Sequence, residues 1–238
     1  MRIETEQVAY RDGDTRLTGL LARDADQTGK RPGVLVVHGG AGLDDHARGR
    51  ARRFAEAGFV AFACDMYGDG VTGHRERIVR QIEELRNNRA ALTRRIEPAV
   101  EILSSRPDVD GRVAAVGYCF GGMTVLEYAR GGAALSGVVS VHGSLGTTSP
   151  AGSASIPAAI LACHGALDPH VPMSQVTAFA EEMKAAGADY QLIVYGSAMH
   201  GFTHETATGQ QPGVLYDAQA DARSSAAIQS FFAELFGV

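Results

Sequence analysis

The chain has 238 residues, of which 45% are hydrophobic and 21% are charged, and its formal net charge is −5. This composition is typical of a soluble globular protein and excludes an intrinsically disordered chain, because it contains enough apolar residues to form a core. Basic residues are not gathered into tails, which argues against a nucleic-acid partner. No apolar run is long enough to cross a bilayer, so no membrane partner is expected. The N-terminus lacks the apolar segment of a secretion signal, and a cytoplasmic location is therefore expected.

Strand-like and helix-like stretches alternate along the chain. Residues 1–20 have the pattern of an antiparallel hairpin at the edge of a sheet. Further strands, which are apolar and so expected to be buried on both faces, are predicted at 34–38, 59–64, 113–117, 138–142, 158–163 and 190–195. Helices are predicted between them, at 47–57, 75–105, 122–130, 173–186 and 214–236. The alternation predicts an α/β fold with a mostly parallel central sheet and helices on both faces. No linker is visible, so residues 1–238 are predicted to form one domain.

The segment Gly117-Tyr-Cys-Phe-Gly121 lies between a predicted strand and a predicted helix. It has the form of a nucleophile elbow, a sharp turn that exposes its central residue, with Cys119 in the place of serine. Glycines on both sides permit the turn, because bulk two positions from the nucleophile is poorly tolerated. The adjacent helix N-terminus favours a thiolate. The segment therefore predicts a nucleophilic cysteine.

Two further reactive side chains follow Cys119 along the chain. Asp168 comes shortly after the strand at 158–163, and His200 comes shortly after the strand at 190–195. Because open parallel sheets bind ligands at the carboxyl ends of their strands, we expect these side chains to converge there. The order nucleophile, acid, histidine is that of α/β-hydrolase triads. In such a triad His200 takes the thiol proton, and Asp168 orients the imidazole.

An acyl-transfer site also needs hydrogen-bond donors for the oxyanion. We expect one donor to be the backbone N–H of Phe120, the residue after the nucleophile. The other is expected at Gly40, in the glycine-rich loop after the strand at 34–38.

The same segments resemble those of the dienelactone hydrolase family. The matching stretches are GYCFGG around Cys119, HGALDPHVP around Asp168, MHGF around His200, and CDMYG at 64–68. The resemblance extends from about Gly33 to the last helix. It implies an α/β-hydrolase fold with a Cys-His-Asp triad. It also implies hydrolysis of a small-molecule ester or lactone.

Two positions depart from what the resemblance implies for the substrate. Dienelactone hydrolases proper carry a glutamate in the first loop that interacts with the resting thiol, and the matching residue here is Gly39. Cys119 is therefore expected to pair with His200 in the free enzyme. In the family an arginine four positions after the histidine helps to hold the substrate carboxylate, and this chain has His204 there. The departure places dienelactone itself in question as the substrate.

Three further residues are candidate substrate contacts. A second substrate arginine of the family corresponds to Arg77 or to its neighbours Arg75 and Arg80, although a solvated surface helix explains these charges as well. Phe202 and His204 are candidate pocket residues because they follow His200 closely.

The remaining two cysteines are expected to be structural. Cys64 and Cys163 lie inside apolar runs and are expected to be core residues. Three cysteines without a CxxC pair predict no disulfide framework, and the histidines lack the spacing of a metal site. No metal or other cofactor is therefore expected.

Several functions remain open. The leading prediction is a hydrolase of activated carboxylic esters or lactones that forms a thioester on Cys119. The same thiolate could attack other electrophiles such as phosphotriesters, or pass its acyl group to an acceptor other than water. The non-catalytic alternative is a thiol sensor or binding protein on a hydrolase scaffold, since reactive cysteines are readily oxidised. The oligomeric state is not predicted.

Overall fold

The structure is a computed structural model and describes residues 1–68, 71–151 and 156–237. The strands are β1 (Ile3–Asp12), β2 (Thr15–Asp24), β3 (Arg31–Val37), β4 (Val60–Cys64), β5 (Val109–Tyr118), β6 (Gly137–Val141), β7 (Ala159–Gly165) and β8 (Tyr190–Tyr195). The helices are α1 (Asp45–Glu56), α2 (Arg75–Arg86), α3 (Arg89–Ser104), α4 (Phe120–Arg130), α5 (Met173–Ala185) and α6 (Ala218–Phe236). The strands form one mixed sheet in the order β1-β2-β4-β3-β5-β6-β7-β8. The predicted α/β fold, a mostly parallel sheet with an antiparallel edge pair and helices on both sides, is confirmed.

The first of two compact units is Met1–Val116. Its β1 and β2 form an antiparallel hairpin in which Tyr10 pairs with Leu17, so the predicted hairpin is confirmed. Strand β2 pairs antiparallel with β4, and β3 pairs parallel with β4. Every residue of β3 and β4 is buried, as apolar strands without polar alternation predict.

The second unit is Gly117–Val238. Its strands β6, β7 and β8 pair in parallel, with Val139 opposite Leu161 and Leu161 opposite Gln191. All residues of β6 and β7 are buried. In β8, by contrast, only Tyr195 is fully buried, because this strand ends the sheet order and has one neighbour. The expectation that β8 is buried on both faces is therefore wrong.

The single helix predicted at 75–105 is wrong, because the chain forms two helices there. Asn87 ends α2, and the side chain of Asn88 accepts the N–H of Ala91 at 3.0 Å and caps α3. Asparagine side chains compete for backbone hydrogen bonds, which favours a cap over a helix interior. Of the residues in α2 only Leu85 is buried. This helix is therefore largely exposed to solvent, in agreement with the alternative explanation of its arginines as part of a solvated surface helix.

The last helix begins later than predicted, at Ala218. Asp217 caps it by accepting the N–H groups of Gln219 and Ala220, each at 3.0 Å. The preceding Val214 and its neighbour Leu215 do not continue the helix, because they pair with the backbone of His200. Within the described ranges no helix has both the length and the apolar composition that a membrane span requires.

Candidate active site

Cys119 occupies the junction between β5 and α4. Its backbone has φ 53° and ψ −113°, a conformation that residues with a side chain rarely adopt. A Cβ at Gly117 would overlap the carbonyl of Gly121 and lie 2.6 Å from the nitrogen of Gly122. The turn is thus as tight as the elbow pattern predicts, and glycine at 117 is sterically required.

This steric requirement leads to the first testable prediction. We expect Gly117→Ala to lower the free energy of unfolding by about 3 kcal/mol, because the new methyl group meets backbone atoms that have no alternative rotamer. Gly49→Ala is the matched control: Gly49 lies inside α1, and a Cβ there meets nothing within 4 Å. It should raise the stability by about 0.5–1 kcal/mol. Urea titrations of both variants measure the two changes, and equal effects would contradict the tight-turn explanation.

The structure brings Cys119, Asp168 and His200 together. The Nε2 atom of His200 lies 3.0 Å from the Sγ atom of Cys119, and its Nδ1 atom lies 2.8 Å from Oδ2 of Asp168. The side chain of Asp168 is completely buried, that of His200 is 13% exposed, and Cys119 is partly exposed. One imidazole therefore links a buried carboxylate to a thiol that solvent can reach, which is the geometry of a nucleophilic triad.

The second oxygen of Asp168 has its own donors. Oδ1 accepts the backbone N–H groups of His170 at 2.8 Å and Val171 at 3.2 Å. Both oxygens of the carboxylate are therefore engaged, one with the local backbone and one with His200. This arrangement fixes the rotation of the carboxylate and, through it, the orientation of the imidazole.

The loops that carry Asp168 and His200 are tied to each other. The N–H of Ala166 donates to the carbonyl of Tyr195, and that of Leu167 donates to the carbonyl of Ala198, each at 2.9 Å. A Cβ at Gly165 would lie 2.5 Å from the oxygen of Ala198, so only glycine permits this approach. The acid and the histidine are thus held by backbone contacts as well as by their own hydrogen bond.

The electrostatics of the site favour a charged imidazole. Burial alone would lower the pKa of His200, but its hydrogen bonds to Asp168 and Cys119 and the negative charges of these groups raise it from 6.5 to about 10. Burial opposes the ionisation of Asp168, yet the hydrogen bonds from His200, His170 and Val171 hold the pKa of this carboxyl below its usual value. Both shifts favour an imidazolium at His200, between the carboxylate of Asp168 and the sulfur atom of Cys119.

The predicted oxyanion donors lie in different units. Phe120 is the first residue of α4, so its N–H lies at the positive end of the helix dipole. Gly40 follows β3 in the first unit, and its carbonyl accepts the hydroxyl of Tyr67 at 3.2 Å. A Cβ at Gly40 would make an ordinary contact, 3.7 Å from Ile82. The structure thus places Phe120 beside the nucleophile, and the role of Gly40 stays a prediction.

The three predicted substrate contacts have different surroundings. Arg77 is exposed on α2 and lines a cavity of about 430 Å³ in the first unit together with Tyr67 and Arg80. Phe202 is fully buried, with its ring packed against His142 and Tyr195, so it presents no surface to a ligand and its predicted contact is not supported. His204 is half-buried in the loop that follows His200.

Sequence reasoning missed the role of His142. This buried histidine follows β6, and its Nδ1 atom accepts the backbone N–H of Cys119 at 3.2 Å. Its ring centroid lies 5.4 Å from that of His200. The available signal was its place at the carboxyl end of a predicted strand, next to Gly143. That signal predicts where His142 lies but not what it binds, because its partner is the backbone N–H of Cys119.

The other cysteines are core residues, as predicted. Cys64 and Cys163 are buried, and burial raises the pKa of both thiols, that of Cys163 to about 12. Neither is therefore available as a nucleophile. Within the described ranges, no three or more histidine, cysteine and acidic side chains lie together in a group that could hold a metal ion.

Comparisons with known proteins relate this chain to a group of hydrolases. Residues 17–236 match the dienelactone hydrolase family. A solved dienelactone hydrolase-like promiscuous phosphotriesterase from metagenomic libraries is 40% identical, over 99% of this chain and 100% of that one, with a TM-score of 0.93. An uncharacterized protein of Caenorhabditis elegans is 38% identical over 151 residues, which cover 60% of this chain and 92% of its own. A putative carboxymethylenebutenolidase of Yersinia pestis is 28% identical over 78% of this chain and 74% of its own.

Proposed function

The chain belongs to the dienelactone hydrolase family, whose members hydrolyse ester bonds, and from this premise we propose that it cleaves activated carboxylic esters or lactones through a thioester on Cys119. The observation that carries the proposal is the position of His200, whose ring nitrogens lie 2.8 Å from Asp168 and 3.0 Å from the sulfur of Cys119. A thiol in this relation to an acid–histidine pair is activated as a nucleophile.

The proposed reaction has two halves. The thiolate of Cys119 attacks the carbonyl carbon, a C–S bond forms, and the electron pair of the C=O bond moves to the oxygen. Collapse of this oxyanion breaks the C–O bond, and the leaving oxygen takes the proton from Nε2 of His200. Water then attacks the thioester and gives a proton to His200, and cleavage of the C–S bond releases the acid and regenerates the thiolate. Asp168 keeps its charge throughout and stabilises the imidazolium.

The two predicted oxyanion donors, Phe120 and Gly40, fit this scheme. Charge develops on the carbonyl oxygen in both halves of the reaction, and backbone N–H groups aimed at it stabilise the transition state. Phe120 contributes from the first turn of α4, where the helix dipole has its positive end. Gly40 contributes from the loop after β3.

The nucleophile favours activated substrates. A thiolate is itself a good leaving group, so the tetrahedral intermediate proceeds to product when the departing oxygen is also a stable anion. Aryl esters and enol lactones meet this condition, whereas amides do not. A nucleophilic thiol must also stay reduced, so we place the protein in a reducing compartment such as the cytoplasm.

The charge state of the site gives the second prediction. Because the pKa of His200 is raised to about 10, its imidazolium persists through neutral pH and stabilises a thiolate at Cys119. The rate of alkylation of Cys119 by iodoacetamide should therefore stay constant within about twofold from about pH 6.5 to 9. In His200→Ala the rate should rise about tenfold per pH unit below about pH 8.5, the pKa of a free thiol. Cys119→Ala provides the blank, and a free-thiol profile in the wild type would contradict the ion pair.

A second candidate activity is the hydrolysis of aryl phosphotriesters. The observation that favours it is the phosphotriesterase activity named for the solved protein that is 40% identical over 99% of this chain. The same groups serve this reaction: Cys119 attacks phosphorus, a P–S bond forms while the oxyanion donors bind the phosphoryl oxygen, and the P–O bond to the aryloxide breaks. Water, giving its proton to His200, then attacks phosphorus and cleaves the P–S bond, which releases the phosphodiester and regenerates the thiolate. Release of an aryloxide requires no change in the triad geometry.

A panel of substrates with one chromophore tests both activities and supplies the third prediction. We expect the wild type to release p-nitrophenolate from p-nitrophenyl acetate faster than from diethyl p-nitrophenyl phosphate. In a separate assay that follows the acid formed on lactone opening, we expect it to prefer neutral lactones to lactones that carry a carboxylate. The last preference follows from His204, which replaces an arginine that binds carboxylate in the family. His204→Arg should raise kcat/KM for the carboxylate lactone relative to a neutral one by about tenfold.

The matched control for this prediction is His204→Gln, which alters the same side chain without adding a fixed charge. Its lactone preference should equal that of the wild type. A preference for the carboxylate lactone in the wild type would show that another residue, such as Arg77, supplies the cation.

A further inference from the structure

Two residues of the described chain, apart from glycines, have a positive φ angle, and they contact each other. They are Cys119, with φ 53°, and His142, with φ 41°. Such a backbone is strained for residues with a side chain and persists only where the surroundings enforce it. The N–H of Cys119 is shared between Nδ1 of His142 at 3.2 Å and the carbonyl of Val141 at 3.0 Å. The two residues with positive φ are therefore joined by a hydrogen bond.

The hydrogen bonds of His142 determine its tautomer. Because Nδ1 faces the N–H of Cys119, it acts as an acceptor and carries no proton. The ring proton is then on Nε2, which donates to Oγ1 of Thr203 at 2.9 Å. Thr203 is buried and lies three residues after His200. A single neutral ring thus joins the turn that carries the nucleophile to the loop that carries the catalytic histidine.

The imidazole ring of His142 is closely packed against the rings of Phe202 and His200. His142 is fully buried, and its ring centroid lies 5.0 Å from that of Phe202 and 5.4 Å from that of His200. The next residue, Gly143, approaches the elbow so closely that a Cβ on it would lie 2.8 Å from the Cα of Gly122. The backbone after β6 is therefore fitted against the first turn of α4.

We propose that His142 is a positioning residue that sets the distance between the sulfur of Cys119 and the imidazole of His200. It acts through two bonds, one to the N–H of Cys119 and one to the hydroxyl of Thr203. It does not touch the substrate and exchanges no proton with it. The inference rests on the proposed function where the readout is ester hydrolysis. The effect of the two hydrogen bonds on the reactivity of the Cys119 thiol can be measured without that function.

The test uses variants that separate the two bonds. His142→Asn places a carbonyl oxygen where Nδ1 stands and tolerates the left-handed backbone, so it retains the acceptor for Cys119. His142→Leu removes both bonds. We expect His142→Leu to lower kcat for p-nitrophenyl acetate about 100-fold with little change in KM, and His142→Asn to recover at least about tenfold of that loss. Tyr195→Phe is the control, because it alters a ring packed on Phe202 without affecting either bond.

A second pair of variants applies if the His142 substitutions do not fold. Thr203→Val is close to isosteric and removes the hydroxyl that accepts Nε2–H of His142, and Thr203→Ser restores it. We expect Thr203→Val to lower kcat about tenfold and Thr203→Ser to return it to the wild-type value. An unchanged kcat in Thr203→Val would overturn the inference.

The rate at which iodoacetamide alkylates Cys119 tests the positioning role of His142 independently of ester hydrolysis. A positioning role predicts that His142→Leu lowers this rate about tenfold at neutral pH, because the sulfur loses its alignment with the imidazolium. A merely structural role would lower the melting temperature and leave alkylation of the folded protein unchanged, which overturns the inference. If the wild type hydrolyses no ester but its alkylation rate depends on His142, the proposed function fails and the positioning role stands.

Discussion

Cys119→Ala is expected to reduce kcat/KM for p-nitrophenyl acetate by about 10⁴-fold, because it removes the atom that forms the covalent intermediate. The structure offers a matched control in Cys163, which is buried and has a thiol whose pKa is raised to about 12. Cys163→Ala should keep the wild-type kcat/KM and lose only some stability. Intact-mass analysis after an acid quench should show one added acyl group on the wild type and none on Cys119→Ala.

Cys119→Ser refines this prediction. A hydroxyl stays neutral at pH 7, so the serine variant lacks the negative partner that helps to raise the pKa of His200. Its activity should be lower than that of the wild type but measurable, since the elbow and the histidine are retained. A wild type no faster than Cys119→Ala would exclude the thioester mechanism and favour the thiol-sensor alternative.

The sequence was sufficient to predict the elbow and the order of the triad, because both follow from local rules. The need for glycine at Gly117 is a steric property of the turn itself, and the burial of Cys64 and Cys163 follows from the apolar strands that contain them. The convergence of Asp168 and His200 required only the rule that parallel strands present their carboxyl ends at one edge.

The predictions from sequence are wrong or incomplete where tertiary contacts determine the local structure. The two asparagines that divide the helix predicted at 75–105 are polar residues whose side chains could equally have faced solvent in one long helix. The residues before Ala218 fit a helical pattern but pair with the backbone of His200 instead. The role of His142 depends on a backbone N–H and on Thr203, which lies 61 positions away, so spacing could not reveal it.

Asp168→Asn should have the second largest effect, lowering kcat by about 10³-fold. Both carboxylate oxygens act as acceptors, Oδ1 from the N–H groups of His170 and Val171 and Oδ2 from Nδ1 of His200. An asparagine side chain has one acceptor and one donor, so either of its orientations places an NH₂ group against a donor. If the NH₂ faces His200, it forces the wrong tautomer, and if it faces the backbone, it breaks two hydrogen bonds.

The same substitution should also change the thiol. The Asp168 carboxylate contributes to the raised pKa of His200, so the asparagine variant should lose imidazolium at neutral pH. Its alkylation rate at about pH 6.5 should then fall toward that of His200→Ala. Asp189→Asn, at an exposed position before β8, is the matched control and should change neither rate. Activity of Asp168→Asn within about threefold of the wild type would mean that the carboxylate only closes the turn before Pro169, and that His200 is oriented by the backbone of its own loop alone.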